Sequence, residues 1–493
     1  MRFQKTLTLL MLAIWLVFAL SAWAQQKKPL NQVQIFALLA GQVPSYRVAM
    51  LVKESGIDFE PQQDYLDEVR RGGGDQELMT ALKSAKVTKP ATVDPAAEAR
   101  QAEVRQHAAR GAEFFQSKQY ADAEVEYRAV VRLDPQNPDL HVALSRALNR
   151  QRKTDEALVE AREALRLNPG SDQGHYSLGN ALREKGDRDG AMTEYREALS
   201  LNPDNDLAHI NLGFASENKG DWVGAITEYR EALRLNPNSA VAHTDLGATL
   251  QHEGDWDGAI AEYREALRLN PNIEEAHVGL GISLGQKGDV DGAIAEEREA
   301  LRLNPQNDLA HTNLGIAREN KGDWVGAIAE YREALRLNPN RAVVHTNLGV
   351  ALGVKGDWDG EIAEEREALR LNPNSDDAHV SLGIALAGKG DAEGAIAEIR
   401  EALRLNSKSA KAHFILGAVL ISKRDWEGAI TEFREALRLN PDYDLAHFAL
   451  GFTLEKKGDP RGALEQYRAA YTLDPNNTSY KQDYERLLKR VNK

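Results

Sequence analysis

The chain has 493 residues, a formal net charge of −14 and no cysteine. That length exceeds what one ordinary hydrophobic core organises, so it predicts several domains or a periodic architecture. The acidic balance argues against a nucleic-acid partner, which wants a basic stripe, and the missing cysteines exclude both a disulfide framework and a thiol-anchored lipoprotein.

Residues 1–24, "MRFQKTLTLLMLAIWLVFALSAWA", place Arg2 and Lys5 before an apolar run that ends at Ala22-Trp23-Ala24. This order reads as a secretory signal peptide and predicts a periplasmic or secreted protein beginning at Gln25. An uncleaved signal anchor is the rival reading, although the run is short for a membrane span. No later segment is apolar enough to cross a bilayer, so no membrane span is expected in the mature chain.

Residues 25–88 do not share the rhythm of the longer C-terminal region. Asn31, Ser45, Pro61 and Asp75 mark helix starts, and Gly56 and Gly72-Gly73-Gly74 mark stops, which predicts a small four-helix module. Residues 89–103, with Pro90 and Pro95, read as a linker.

From residue 104 to 477 one pattern recurs. Prolines stand at Pro135, Pro169, Pro203, Pro237, Pro271, Pro305, Pro339, Pro373, Pro441 and Pro475, with Ser407 in the one gap, which gives eleven units of 34 residues. Within the unit 240–273, Ala242, Leu246, Gly247 and Leu250 keep helical spacing. Gly254 and Asp255 then interrupt, and Trp256, Ala259, Ile260, Tyr263, Ala266 and Leu267 resume it. Two antiparallel helices are predicted, the first closed by Gly254 and the second capped by Asp255 and ended by Asn270-Pro271. The stretch from Asp206 is nearly repeated at Asp308, so the array has grown in blocks of three units.

A helix-turn-helix of this length with "NLG", "KGDW", "GAI", "EYREAL" and "LNP" resembles the tetratricopeptide repeat over about three quarters of the chain. The resemblance implies an all-α fold: a right-handed superhelix, or alpha-alpha solenoid, with the first helices on its inner face. Residues 478–493, with Tyr480, Tyr484, Leu487, Leu488 and Val491 on one side, are expected to cap the last repeat. The wording "VPSYRVAMLVKESGIDFEP" is similar to a small module found on other exported bacterial repeat proteins.

Three constellations imitate chemistry. "GISLG", Gly281 to Gly285, matches a hydrolase elbow, but Ser283 falls in mid-helix, where no strand-to-helix turn exposes it. "EGDWDG", Glu253 to Gly258, opens like a calcium loop, yet Arg264 stands where a bidentate carboxylate is required. Eleven of the twelve histidines, from His107 to His447, occupy one place in the repeat. Adjacent repeats would set them about 10 Å apart, whereas zinc holds its ligand nitrogens at about 2.0–2.1 Å, so no metal is expected. A structural row at the seam between repeats is the reading, with pH-sensitive softening as its functional alternative. No catalytic centre and no cofactor are predicted. Asp58, Glu60 and Asp64 of the N-terminal module are acidic but lack a partner pattern.

Binding remains. The resemblance implies that the second, fifth, sixth, ninth and twelfth places of a repeat face the groove, and that asparagine at the sixth holds a peptide backbone, as in the repeat domain of protein O-GlcNAc transferases. Asn211, Asn313 and Asn347 stand there. The fifth and ninth places are mostly apolar, including Ile316, Val350, Phe414, Phe448 and Phe452, and would suit an amphipathic helix or an extended apolar segment. Packing between successive first helices is the rival use of the same residues. The lysine and asparagine set that clamps an acidic C-terminus does not occur at these places.

Glu297 and Glu365 replace the aromatic residue of the second helix, and Glu361 replaces a small alanine, so the unit Ala342 to Ser375 is expected to be the softest interior repeat. The sequence as a whole predicts a non-catalytic scaffold for protein or peptide partners, with no small-molecule substrate. A structural subunit of an envelope export or polymer-secretion complex is the alternative.

Overall fold

The computed structural model describes residues 29–40, 43–88 and 95–491. The expected signal peptide, residues 1–24, and residues 89–94 of the expected linker lie outside the described residues. The described chain is helical, apart from isolated backbone bridges near its start, and divides into two compact units, Met1–Thr249 and Leu250–Lys493.

Local chemistry explains why each repeat is two helices. Asp255, with its side chain accepting from the Gly258 N–H at 3.0 Å, caps the helix Trp256–Leu269, and Asp289, Asp323 and Asp357 do the same in the next three repeats. The preceding residue is left-handed: Gly254 has φ +80°. The turn is imposed by the fold even without glycine, since Lys118, Arg152 and Arg424 hold the same place at φ +60°.

Within each unit the first helices pack on the second helix of their own repeat and on the one before, as Glu274–Gln286 does on Val290–Leu303 and on Trp256–Leu269. Successive first helices also touch one another, so within each unit they form the more closely packed, inner face.

One contact sets the distance between the paired helices. In seven of the eleven repeats the eighth place of the first helix is glycine and the twenty-fourth place of the repeat is a buried aromatic ring. A Cβ built on Gly315 would stand 2.5 Å from the Tyr331 ring, on Gly213 2.7 Å from Tyr229, and on Gly417 2.7 Å from Phe433. No real Cβ tolerates such distances, so only glycine lets these rings lie on the backbone. The second repeat tests the rule internally: Ala161 replaces the ring, and Ser145 takes the glycine's place, its hydroxyl donating to the Ala157 carbonyl at 2.8 Å.

In the first unit, helices Gln32–Ala40, Ser45–Ser55, Gln63–Arg71 and Gln76–Ser84 precede the repeats. Parallel bridges tie Leu30 to Ile57 and Ile57 to Val87, contacts that no local sequence signal announces. Two boundaries differ from the sequence reading. The first helix of the array runs Pro95–Gln116, so residues 95–103 are helical and not linker; Pro95 starts the helix, where its missing N–H costs nothing. The N-terminal helices also share a core with the repeats: Ile35, Phe36 and Leu39 cluster with Val104, Ala108, Ala112 and Ala143. Helix Gln32–Ala40 lies on the first helices of repeats 1 and 2, Gln32 accepts from Arg105 at 2.9 Å, and the Arg47 guanidinium bonds the Asp204 carbonyl and Asn202.

In the second unit the helix Thr478–Val491 closes the stack. Tyr480 and Leu487 are buried, Tyr480 donates to Asp444 at 2.9 Å, and Arg486 donates to Glu455 at 2.7 Å.

The joint exchange of ring for alanine and glycine for serine in repeat 2 yields a measurable coupling. Ala161→Tyr alone is expected to cost about 1–3 kcal/mol by overpacking against Ser145, and Ser145→Gly beside it to recover most of that loss. Hydrogen-exchange protection of helices Pro138–Arg150 and Thr154–Leu167 reads both; equal protection in the single and double variants would refute the size rule.

Candidate functional site

The structure places the three chemistry-like motifs in structural roles. Ser283 is buried in the helix Glu274–Gln286 and donates to the Gly279 carbonyl at 2.9 Å. Asp255 is a helix cap. Among the described residues no group of three or more histidine and acidic side chains stands close enough to hold a metal ion.

The histidine row is a set of joints. His141 Nδ1 meets Glu160 of its own second helix at 2.6 Å, and its Nε2 meets the Pro135 carbonyl of the preceding repeat at 3.1 Å. His277 repeats this with Glu296 at 2.6 Å and Pro271 at 3.1 Å. Two acceptors flank the ring, and only an imidazolium can donate to both. Burial works against that charge, yet the glutamate and carbonyl bonds outweigh it and raise the pKa of His141, His209 and His277. Sequence spacing located the row. It could not show the glutamate nineteen residues on, because that pairing depends on how two helices face.

The asparagines of the sixth place divide by environment. Asn211 is spent within the array: its amide donates to Tyr176 at 3.1 Å and Asn180 at 2.9 Å, and its carbonyl accepts from Arg183 at 3.3 Å. Asn313 is half-buried beside the Glu297 carboxyl. Asn347 is also half-buried and makes no side-chain hydrogen bond among the described residues, so its amide is available to a partner backbone.

The apolar candidates divide in the same way. Phe414 packs against Tyr443 at 5.0 Å and Phe433 at 5.8 Å, and Phe448 against Tyr480 at 4.9 Å and Tyr467 at 5.4 Å, so both rings serve the seams. Phe452 is 37% exposed with the Lys456 ammonium 5.3 Å from its centre. Ile316 is exposed and Val350 half-buried. Sequence reasoning missed their neighbours. Leu309 lies seven residues before Ile316 and Val343 seven before Val350, two helical turns along the same face, and Val354 extends the row. Leu309, Val343 and Val354 are exposed, Val343 by 68%. The first helices of repeats 7 and 8, Asp308–Asn320 and Ala342–Val354, thus each carry an apolar row, together an apolar stripe, and Asn347 stands on the second of them. Valine or leucine at the second place was the available signal. In the first unit, Phe214 is exposed under the Arg183 guanidinium, and the inner face of repeats 1 and 2 is occupied by the N-terminal helices.

Three buried carboxyls lie in the second unit. Burial pushes Glu297 up to about 9, partly offset by Asn313, and Glu365 up to about 8, partly offset by the Thr346 hydroxyl; burial alone takes Glu361 to about 7.

Models described as a TPR repeat match residues 179–220, 218–254, 320–356 and 417–458, and further tetratricopeptide repeat models match 244–308, 114–181 and 444–477. Together they cover more than half of the chain. No curated protein matches. Among solved structures, the APC/C hetero-tetramer Cut9-Hcn1 is 15% identical over 78% of this chain and 96% of that chain, with a TM-score of 0.46. Yeast Tom70 is 16% identical over 80% and 95%, with a TM-score of 0.39, and the MamA protein is 28% identical over 35% and 94%, with a TM-score of 0.32.

Raised pKa values of the carboxyls and histidines act with one sign. At these groups the folded state binds protons more tightly than the unfolded chain, whose glutamates titrate near about 4.3 and histidines near about 6.5, so their contribution to stability is fullest at low pH and is lost as pH rises through the folded values. Exchange protection of repeats 6 and 8, corrected for intrinsic rates, is expected to fall between pH 5 and 9 more steeply than that of repeats 7 and 9. Repeat 8 is expected to be the weakest at pH 8, and Glu361→Ala with Glu365→Tyr to flatten its slope. Uniform protection across repeats 4 to 9 would refute this.

Proposed function

We propose that this chain, which belongs to the tetratricopeptide repeat family, is a non-catalytic scaffold that holds protein or peptide partners on the inner face of its repeats. The observation that carries the reading is the apolar stripe of Leu309, Ile316, Val343, Val350 and Val354 beside the unpartnered Asn347 amide. Contiguous exposed apolar surface costs solvation free energy unless something covers it, and an amide beside it can fix the register of a partner backbone. Asn313 stands on the same first helix as Leu309 and Ile316, and Phe452 is exposed on a first helix three repeats beyond that of Asn347, whereas Phe414 and Phe448 pack into the seams of the last repeats and Asn211 is spent within the first unit. The signal-like order of residues 1–24 supports export, with the periplasm or the exterior as the working compartment.

Affinity capture from the exported fraction, with mass spectrometry of what is retained, tests the site. The mature chain is expected to hold a partner that a variant carrying Ile316→Asp, Asn347→Ala and Val350→Asp loses; retention of the same proteins by both would move the search to the N-terminal helices or the outer face. Fractionation with N-terminal sequencing is expected to find the protein outside the cytoplasm, starting at Gln25, and a chain still starting at Met1 in the membrane fraction would establish an anchor instead.

A further inference from the structure

In the tyrosine repeats of the second unit, the ring that lies on the glycine also reaches a polar side chain at the twelfth place of its own first helix. Tyr263 donates to Gln251 at 3.0 Å, Tyr331 to Glu319 at 2.8 Å and Tyr467 to Glu455 at 3.3 Å. Repeats 6 and 8 change both ends of this contact together. Glu297 and Glu365 replace the ring, and Gly285 and Gly353 stand at the twelfth place, so the shorter acid meets no side chain there.

Glu297 is 1% exposed and neither oxygen forms a hydrogen bond; Glu365 is 0% exposed with one oxygen unpaired, and Glu361 is 3% exposed with one oxygen unpaired. The polar and charged groups that bear on them are few. Asn313 and Glu296 act on Glu297, and Thr346, Glu361, Glu364 and Lys411 act on Glu365, with Thr346 donating at 3.1 Å. Burial alone acts on Glu361. Asn313 and Thr346 are half-buried on the first helices that carry the apolar stripe. The carboxyls of Glu297 and Glu365 therefore lie one side chain beneath the floor of the stripe; no cation bears on Glu297, and Lys411 acts on Glu365 only through space, without a hydrogen bond to it.

The geometry points to a partner segment that is both apolar and basic: its hydrophobic side chains cover the stripe, and its lysine or arginine side chains reach in to donate to Glu297 and to the Glu361–Glu365 pair. This rests on the scaffold reading and specifies its partner. A buried carboxyl without donors is costly, and a charge-assisted hydrogen bond from a cation relieves that cost. The two acidic places are two repeats apart, roughly 20 Å at about 10 Å per repeat. An extended segment covers that span in about six residues at ~3.3 Å each, which sets the spacing of its basic residues. The binding is also linked to protons. Held near 9 and 8, Glu297 and Glu365 are protonated at pH 7, and pairing with a cation drives their protons off. Exposed carboxylates, already ionised, release none.

Titration calorimetry at pH 7 on the full chain, in phosphate and in Tris, separates these cases through the different ionisation heats of the buffers. The probes are a capped peptide of leucine and serine with two lysines six residues apart, and its counterpart with glutamine for lysine. The lysine probe is expected to bind on the order of tenfold tighter and with a buffer-dependent heat that reports released protons. The triple variant Glu297→Gln, Glu361→Gln, Glu365→Gln, checked for folding by circular dichroism, is expected to lose both the preference and the proton release. Equal affinity for the two probes, heat independent of buffer, or a folded triple variant that keeps both properties would overturn the inference, as would failure of both probes to bind. If the probes bind equally and Ile316→Asp abolishes both, the scaffold reading stands while the cation pairing falls.

Discussion

Everything in this molecule depends on how closely two helices approach where a glycine backbone meets the face of a ring. Gly315 under Tyr331 and Gly213 under Tyr229 leave no room for a methyl group, so the packing distance of the ring-bearing pairs is fixed by absence on one side and bulk on the other. A single pair buries too little surface to persist, and within each unit the stack is stable because second helices are covered by the first helix of the following repeat. The exchange of ring for alanine and glycine for serine at Ala161 and Ser145 shows that the constraint is on summed volume and not on residue type.

The repeats were legible because helix caps, left-handed turns and apolar spacing are written within a few residues of one another. Asp255 and Gly254 needed no tertiary information. The N-terminal helices were legible as helices for the same reason, but their placement was not. Phe36 joins the cluster of Ala112 across a long stretch of chain, and nothing local to either residue announces that. Pro95 misled by its chemistry, since a proline ends one helix and starts another with equal ease. At the candidate site, residue type and repeat position identified Asn347 and Ile316 but could not separate them from Asn211 and Phe414. The difference lies in what neighbouring repeats supply: Tyr176 and Asn180 occupy Asn211, and Tyr443 covers Phe414.

The two units use the inner face differently. In the first, the chain's own N-terminal helices lie on repeats 1 and 2, and Arg47 extends their hold to the loop before repeat 4. In the second, the first helices of repeats 7 and 8 present apolar side chains with no cover among the described residues. One architecture thus carries both an internal occupant and an open berth, distinguished by side chains at a few places in an otherwise uniform word.

The histidine joint has a consequence for how such a chain changes over time. A typical repeat contributes a histidine to the joint behind it and a proline carbonyl to the joint ahead, Ser407 before His413 being the exception, so the two halves of such a junction come from whichever neighbours happen to be adjacent. Loss or gain of a whole 34-residue unit by unequal recombination between such repeats joins a histidine to a proline carbonyl again. Copy number is then nearly free to drift while fold is kept. What drift does alter is the ruler: the separation between acidic places and between exposed stripes is counted in repeats, and a gene that stutters changes the span of its ligand before it changes anything about its own stability.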